Sequence, residues 1–328
     1  MPNTELTLYT REDGYQERMD GKIAEFWQQR QDGWFPAKDG LQLYWCAFTR
    51  PENDKAVVVV NGRIESVVKY QELFYELYQQ GYDVYSYDHR GQGYSNRLVT
   101  EPKDIGHVVW FDDYIDDLDT FMQGVVMSKH HTQRYMLAHS MGGAIASLYA
   151  EQNGHCLNGL ALSAPMHGIH LSPWMKHIAA PVSRIVAAIN HPARYALGQG
   201  PYEGTPFADN NLSQSLPRYT WFRNLYMKEP VIKVGGPSNR WVWQGLQAGR
   251  RCVEGAAKAR CPVLLIQAGK DKVVSNEAQW QYFRRRQQAG QPVSLEVVEN
   301  ARHEALFEMD EMRDQALLAT LRFFASHL

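Results

Sequence analysis

Ser140 is the residue of this sequence whose surroundings most clearly suggest chemistry. It stands in YMLAHSMGGAIASLY (135–149), between an apolar run and a helical pattern, with Ala138 and Gly142 two residues to either side. Small residues at these positions suit a tight strand-to-helix turn that lifts a serine hydroxyl clear of a sheet. The motif for such a turn is G-x-S-x-G, and Ala138 replaces its first glycine. The alternative is an ordinary Ser-Gly turn without chemistry.

Asp271 and His303 are candidates for the two groups that a reactive serine needs. A serine hydroxyl is a poor nucleophile until a base takes its proton, and an acid must orient that base. Asp271 follows the strand-like run PVLLIQAG (262–269), and His303 follows SLEVVEN (294–300). The order Ser, Asp, His along the chain predicts a catalytic triad. The alternatives are a turn aspartate, a loop histidine, and Glu299 as the acid.

The same turn also predicts a pair of backbone donors for a developing oxyanion. The N–H that follows the nucleophile, that of Met141, is the first donor. The second is expected after the run AVVVVN (56–61), where Gly62 permits a close turn and the N–H of Arg63 is the best candidate. The alternative for that stretch is an ordinary Asn-Gly turn.

These residues can meet in one site only if the strands that they follow end at the same edge of a sheet. Apolar runs alternate with helical patterns, which predicts an α/β fold with a mostly parallel sheet flanked by helices. The run 41–48 alternates in polarity and is predicted to be an antiparallel leading strand. The predicted parallel strands are 56–61, 82–88, 134–140, 157–164, 262–269 and 294–300, and the predicted helices are 67–80, 110–126, 141–152, 275–288 and 311–326.

An inserted, mainly helical segment is predicted over residues 165–251, between core parts 1–164 and 252–328. The βα alternation stops there, and ten Lys and Arg residues stand against three acidic residues, in a chain whose net charge is −2. Aromatic and cationic side chains could bind an acyl chain and a phosphate or an anionic bilayer. Alternatively, the aromatics are core and the charges are simply solvated. The candidates are Trp174, Trp221, Phe222, Arg218, Arg223 and Arg240.

Several classes of function are disfavoured by composition. The net charge gives no argument for nucleic acid, and no phosphate loop or dinucleotide loop is present, so no cofactor is expected. His167 and His170 lack a third ligand, so no metal is expected. The polar start MPNTELTLYTREDG and the absence of a long apolar run predict a cytoplasmic protein without a signal peptide or transmembrane segment.

The motifs AHSMGG, NGRIES, DHRGQGYS, AGKDKVV and ARHE occur in this order. With them the chain resembles the α/β-hydrolase superfamily, in the branch of monoacylglycerol lipases and bacterial lysophospholipases, including those associated with the inner membrane. The resemblance runs from near Asp20 to the end. It implies Ser140, Asp271 and His303 as the triad and the segment 165–251 as a cap.

The resemblance also implies Arg63 and Met141 as the oxyanion donors. Asn61-Gly62 and Ala138 depart from the His-Gly and Gly of typical monoacylglycerol lipases. The sequence therefore predicts a serine carboxylester hydrolase acting on a lysophospholipid, with peripheral contact to the inner face of an anionic cytoplasmic membrane.

The alternatives are a monoacylglycerol lipase, a general esterase or thioesterase, and an inactive α/β-hydrolase that serves as a binding protein. A proline iminopeptidase is weaker, because the inserted segment has no acidic cluster to hold a free amine.

Overall fold

The computed structural model describes residues 6–170 and 193–327, which form an eight-stranded sheet flanked by helices. The sheet order is β1-β2-β4-β3-β5-β6-β7-β8. Pairing is antiparallel between β1 and β2 and between β2 and β4, and parallel elsewhere. The strands are β1 (Gln31–Pro36), β2 (Gln42–Phe48), β3 (Lys55–Val60), β4 (Asp83–Tyr87), β5 (Gln133–His139), β6 (Gly159–Ser163), β7 (Val263–Ala268) and β8 (Val293–Val298).

The described helices connect and cover these strands. A π-helical turn joins the first two helices. The described α-helices are, in chain order, α1 (Tyr15–Arg18), α2 (Ala24–Trp27), α3 (Gln71–Gln79), α4 (Asp112–Gly124), α5 (Met141–Asn153), α6 (Leu216–Lys228), α7 (Asn239–Gly255), α8 (Asn276–Gln288) and α9 (Asp310–Ser326).

The central strands are apolar because helices cover the sheet and leave them no solvated face. Every residue of β5 from Tyr135 onward is buried, and so is all of β6 and β7. The six predicted parallel strands are confirmed, and so is the fold class. The run 41–48 is β2, which is antiparallel to both of its neighbours, as predicted.

The edge strand β1 has no counterpart in the predictions. Its sequence, QDGWFP, contains Gly and Pro, which are depleted from strands. Pairing with β2 along the strand nevertheless holds it at the sheet edge, where Trp34 remains 59% exposed. Tertiary pairing overrides the weak local preference.

Helices α6 and α7 lie between β6 and β7; α6 falls within the segment 165–251, and α7 begins in it. The predicted boundary at residue 251 falls inside α7, and this helix packs against α5 and α8. Its last turns therefore belong to the helical layer beside the sheet. Among the described helices, none is both long enough and apolar enough to cross a membrane.

Candidate active site

Ser140 occupies the turn between β5 and α5 in a strained backbone conformation. Its φ is 52° and its ψ is −118°, in a region that non-glycine residues rarely adopt. Two hydrogen bonds hold it there: its N–H donates to the carbonyl of Ser163 at 3.1 Å, and its carbonyl accepts from the N–H of Met166 at 2.8 Å. The end of β6 therefore fixes the turn, and such strain is typical of functional sites.

Small residues around Ser140 are required by close packing. A Cβ at Gly142 would overlap the carbonyl oxygens of Val60 and Asn61, and one at Gly143 would overlap Pro165. The first turn of α5 thus lies directly against the end of β3. This contact is the steric reason for the glycines that the sequence places after the serine.

His303 lies between Ser140 and Asp271 at hydrogen-bond distance from both. Its Nε2 is 2.8 Å from the Oγ of Ser140, and its Nδ1 is 2.7 Å from Oδ2 of Asp271. The other carboxylate oxygen accepts from the N–H groups of Val273 and Val274. Burial alone would raise the pKa of Asp271, but the interaction with the His303 imidazole and these hydrogen bonds lower it below the usual range. The carboxylate therefore remains ionised and can orient the imidazole.

The structure thus brings together the three residues predicted as a triad. The arrangement allows Ser140 to attack an electrophilic carbon while His303 takes its proton. Glu299, the second acid candidate, has an exposed side chain and makes no hydrogen bond to His303 among the described residues. The geometry therefore favours Asp271. The catalytic roles themselves stay predictions.

The two candidate oxyanion donors lie beside the serine. Met141 is the first residue of α5, so its N–H has no acceptor within the helix, and the helix dipole favours negative charge there. A Cβ at Gly62 would lie 3.2 Å from that of Ser140, which places the loop after β3 against the serine. The N–H of Arg63 has no acceptor among the described residues. Both donors are therefore free for an oxyanion.

The loop that carries Arg63 is held by side chains that sequence reasoning missed. Gln92 donates to the carbonyl of Gly62 at 3.0 Å and accepts from the N–H of Ile64 at 3.1 Å. A carboxylate oxygen of Glu65 accepts from the N–H of Gly62. The motifs NGRIES and DHRGQGYS contain Glu65 and Gln92, but only their spatial meeting shows that they shape one loop.

A buried ion cluster connects this loop to the loop of the histidine. The ammonium of Lys69 lies 2.7 Å from Glu65 and 2.6 Å from Glu304. Burial opposes ionisation of Glu65, yet the charges of Lys69 and His139 lower its pKa to about 2. For Glu304, burial outweighs the charge of Lys69 and raises the pKa. The ammonium of Lys69 thus forms ion pairs with two carboxylates close to His303.

This cluster also contains three groups whose ligand atoms lie within 4.8 Å of one another: Glu65, His139 and Glu304. The ammonium of Lys69 already pairs with both carboxylates, so the cluster holds a cation of its own. The described residues therefore form a structural ion cluster here.

The surroundings of Arg218 do not support the prediction that it binds substrate. The side chain is 2% exposed and lies 2.9 Å from Glu72 and 2.8 Å from Asp310, and it also donates to the carbonyl of Glu308 at 2.6 Å. Both acidic partners lie in the predicted core parts of the chain, outside the segment 165–251. Arg218 therefore fastens α6 to the core and has no charge left for a ligand.

The prediction for Trp221 is likewise not supported. Its ring is half-buried and packs against the small cluster formed by Tyr15, Met19 and Ile23 near the N-terminus. The indole therefore packs against α1 and the π-helical turn that follows it.

The remaining substrate-binding candidates differ in their surroundings. Phe222 is 7% exposed and its ring lies 4.5 Å from the ammonium of Lys69, next to the ion cluster. Arg223 donates to the hydroxyl of Tyr202 at 2.7 Å. Their binding roles stay predictions. Trp174 lies outside the described residues.

Arg240 lies on an outer surface. Its Nε donates to the carbonyl of Val109 at 2.9 Å, and its guanidinium lies 4.6 Å from the ring centre of Trp110 and 5.2 Å from that of Trp243. Arg240 is therefore a partly exposed cation among aromatic rings.

Comparisons with known proteins agree with this fold. Residues 51–310 match the family described as serine aminopeptidase, S33. The chain is 40% identical to lysophospholipase L2 of Escherichia coli, over 97% of this chain and 94% of that protein, and 32% identical to a probable lysophospholipase L2 of Haemophilus influenzae, over 92% and 94%.

A solved structure of a monoglyceride lipase from Saccharomyces cerevisiae superimposes with a TM-score of 0.68 at 18% identity, covering 91% of this chain and 97% of that one. This likeness concerns the fold alone. The family match and the two lysophospholipase relatives each extend over most of the chain. The chain therefore belongs to the serine aminopeptidase S33 family of α/β-hydrolases.

Proposed function

We propose that this protein is a serine carboxylester hydrolase that releases the fatty acid of a lysophospholipid through an acyl-enzyme intermediate. The observation that carries the proposal is the hydrogen-bonded series of Ser140, His303 and Asp271 beside two free backbone donors. The near full-length similarity to lysophospholipase L2 supports the substrate class.

The reaction begins at the ester carbonyl carbon. Ser140 Oγ attacks this carbon while His303 Nε2 takes the hydroxyl proton, and Asp271 stabilises the imidazolium through Nδ1. The N–H groups of Arg63 and Met141 donate to the oxyanion of the tetrahedral intermediate. Collapse of the intermediate breaks the bond to the glycerol oxygen, which takes the proton from His303.

Water completes the cycle. His303 accepts a proton from a water molecule that attacks the acyl-enzyme, and the second tetrahedral intermediate uses the same two donors. Its collapse returns the proton to Ser140 and releases the fatty acid.

A monoacylglycerol lipase is the main alternative, because the same residues would cleave its substrate. The two substrates differ in the phosphate that follows the glycerol. Lysophosphatidylethanolamine and a monoacylglycerol with the same acyl chain separate the two functions. We expect kcat/KM to be at least about tenfold higher for the lysophospholipid, since a site built for a charged group rejects the analogue that lacks it. Fatty acid release measures both, and a preference for the monoacylglycerol would reverse the assignment.

We also propose that the protein contacts an anionic membrane through a surface around Trp110. This surface consists of Val109, Trp110, Arg240 and Trp243, of which Val109 is 46% and Trp110 is 54% exposed. Exposed aromatic rings partition into the bilayer interface, and a cation beside them favours anionic headgroups. The excess of cations in the segment 165–251 adds to this attraction.

Vesicle sedimentation tests this surface, with Trp34 as a matched control because its side chain is 59% exposed on β1, outside this surface. We expect Trp110→Ser to weaken binding to vesicles that contain phosphatidylglycerol, and Trp34→Ser to leave it unchanged. Binding should also weaken at 1 M salt, where screening shortens to about 3 Å. Equal effects of the two substitutions, or no binding by the unmodified protein, would contradict the proposal.

A further inference from the structure

Arg63 is partly buried, and its guanidinium has few partners among the described residues. Its Nη1 donates to the carbonyl of Gly235 at 3.1 Å, and its centre lies 5.0 Å from the ring centre of Trp241. No carboxylate among the described residues forms an ion pair with it. Burial lowers the pKa of Arg63 to about 10. The guanidinium therefore keeps donors that no described protein group fills.

Two buried arginines in the described part of the chain have more partners than Arg63. Arg90 donates to both carboxylate oxygens of Asp117, at 2.6 and 2.7 Å. Arg286 has no carboxylate but donates to four backbone carbonyls, those of Ala256, Ala259, Cys261 and Pro292. Only one of the five N–H donors of the Arg63 guanidinium has an acceptor among the described residues. Its unfilled donors are suited to a ligand.

The position of Arg63 connects these donors to the reacting centre. Its backbone lies in the loop that touches Ser140. Its side chain extends to Trp241, and Trp241 and Met166 both lie near Gly245 in α7. Met166 in turn donates to the carbonyl of Ser140. The guanidinium thus lies where the loop after β3 meets the segment 165–251.

We propose that the Arg63 guanidinium binds the phosphate of the lysophospholipid headgroup while the N–H of the same residue donates to the ester oxyanion. This inference rests on the proposed function and adds the residue that recognises its substrate. The ester group and the phosphate, which flank the glycerol of the substrate, would then contact the same amino acid.

Covalent geometry fits this double role. The path from the Arg63 backbone nitrogen to its guanidinium carbon has as many bonds as the path from the ester carbonyl carbon to phosphorus in a 1-acyl glycerophospholipid. Each path spans roughly 7 Å when extended. When the ester carbonyl oxygen accepts from the N–H of Arg63, the phosphate can therefore lie beside the guanidinium. The guanidinium can bind the phosphate through two parallel hydrogen bonds.

The same contact distinguishes substrates. A monoacylglycerol has a hydroxyl where the lysophospholipid has a phosphate, so it leaves the charge of Arg63 uncompensated. A bound phosphate offsets the desolvation of the guanidinium, which the neutral substrate does not. Arg63 therefore favours the charged substrate.

Substitution of Arg63 keeps its backbone N–H and changes only the side chain. We expect Arg63→Met to lower the ratio of kcat/KM for lysophosphatidylethanolamine to that for the matched monoacylglycerol by about 10- to 100-fold, because a charge-assisted contact is lost. Arg63→Lys keeps the charge without the two-pronged geometry and should lower the ratio less.

A second readout is inhibition by sn-glycerol 3-phosphate, which carries the glycerol and phosphate of the product. With p-nitrophenyl butyrate as the substrate, we expect competitive inhibition of the unmodified enzyme and at least tenfold weaker inhibition of Arg63→Met. Arg250→Met is the matched control, since Arg250 is exposed on α7 and pairs with Glu254. This control should keep both the ratio and the inhibition.

The outcomes separate this inference from the proposed function. If the unmodified enzyme prefers the lysophospholipid and Arg63→Met keeps the same preference, Arg63 does not bind the phosphate although the proposed function stands. If the unmodified enzyme prefers the monoacylglycerol, both fail. Thermal melting checks the fold of each variant. If Arg63→Met is unfolded, an unchanged ratio or unchanged inhibition in Arg63→Lys overturns the inference, and a decrease in both supports it.

Discussion

Ser140→Ala should abolish labelling by a fluorophosphonate probe and lower ester hydrolysis by roughly 10³- to 10⁶-fold. The substitution removes the only atom in the predicted triad that can form the acyl-enzyme bond, while the oxyanion donors and the binding surface remain. Gel detection of the fluorescent adduct and fatty acid release measure the two effects.

Ser147 provides a matched control on the same helix. Its hydroxyl is buried and donates to the carbonyl of Gly143 at 2.7 Å, away from the series of hydrogen bonds at Ser140. Ser147→Ala should keep the label. An adduct that persists in Ser140→Ala would place the nucleophile elsewhere, and an unmodified protein that never labels would favour a binding protein.

Asp271→Asn and His303→Ala should each lower kcat by about 10³- to 10⁶-fold, and neither should add much to the loss in Ser140→Ala. The three groups act on one proton, so removing any of them removes the function of the others. Steady-state kinetics of the single and double variants give this comparison directly.

Losses that multiply in the double variants would show that one residue only supports the fold. Glu299→Gln is the control for the acid, because Glu299 is close to His303 in sequence but exposed. It should keep nearly full activity. Substantial activity in Asp271→Asn together with a large loss in Glu299→Gln would move the role of the acid to Glu299.

The positions of the three triad residues could be predicted because they depend on topology. In a parallel sheet the carboxyl ends of the strands meet at one edge, so residues just after β5, β7 and β8 approach one another whatever the details of packing. Ser140, Asp271 and His303 each follow one of these strands. Continuous apolar runs identified all three strands in the sequence.

The partners of individual charges could not be predicted in the same way. Arg218 was expected to face a ligand because its segment is cationic, but its acidic partner Glu72 lies in α3, far away in the sequence. Likewise, nothing in the run VVKY indicates that Lys69 is buried. Ion pairs of this kind depend on side chains that meet only after the helices have packed.

The shared use of Lys69 has a consequence for the order in which the enzyme is assembled. Glu65 precedes Lys69 by four residues, whereas Glu304 lies beyond β8. During synthesis, Lys69 can pair with Glu65 early but meets its second carboxylate only after β8 has been made. Because the same ammonium touches both loops of the site, the final geometry of the loop after β3 depends on completion of the last strand. The loop of the candidate oxyanion donor Arg63 and the loop of the candidate base His303 therefore reach their final arrangement together.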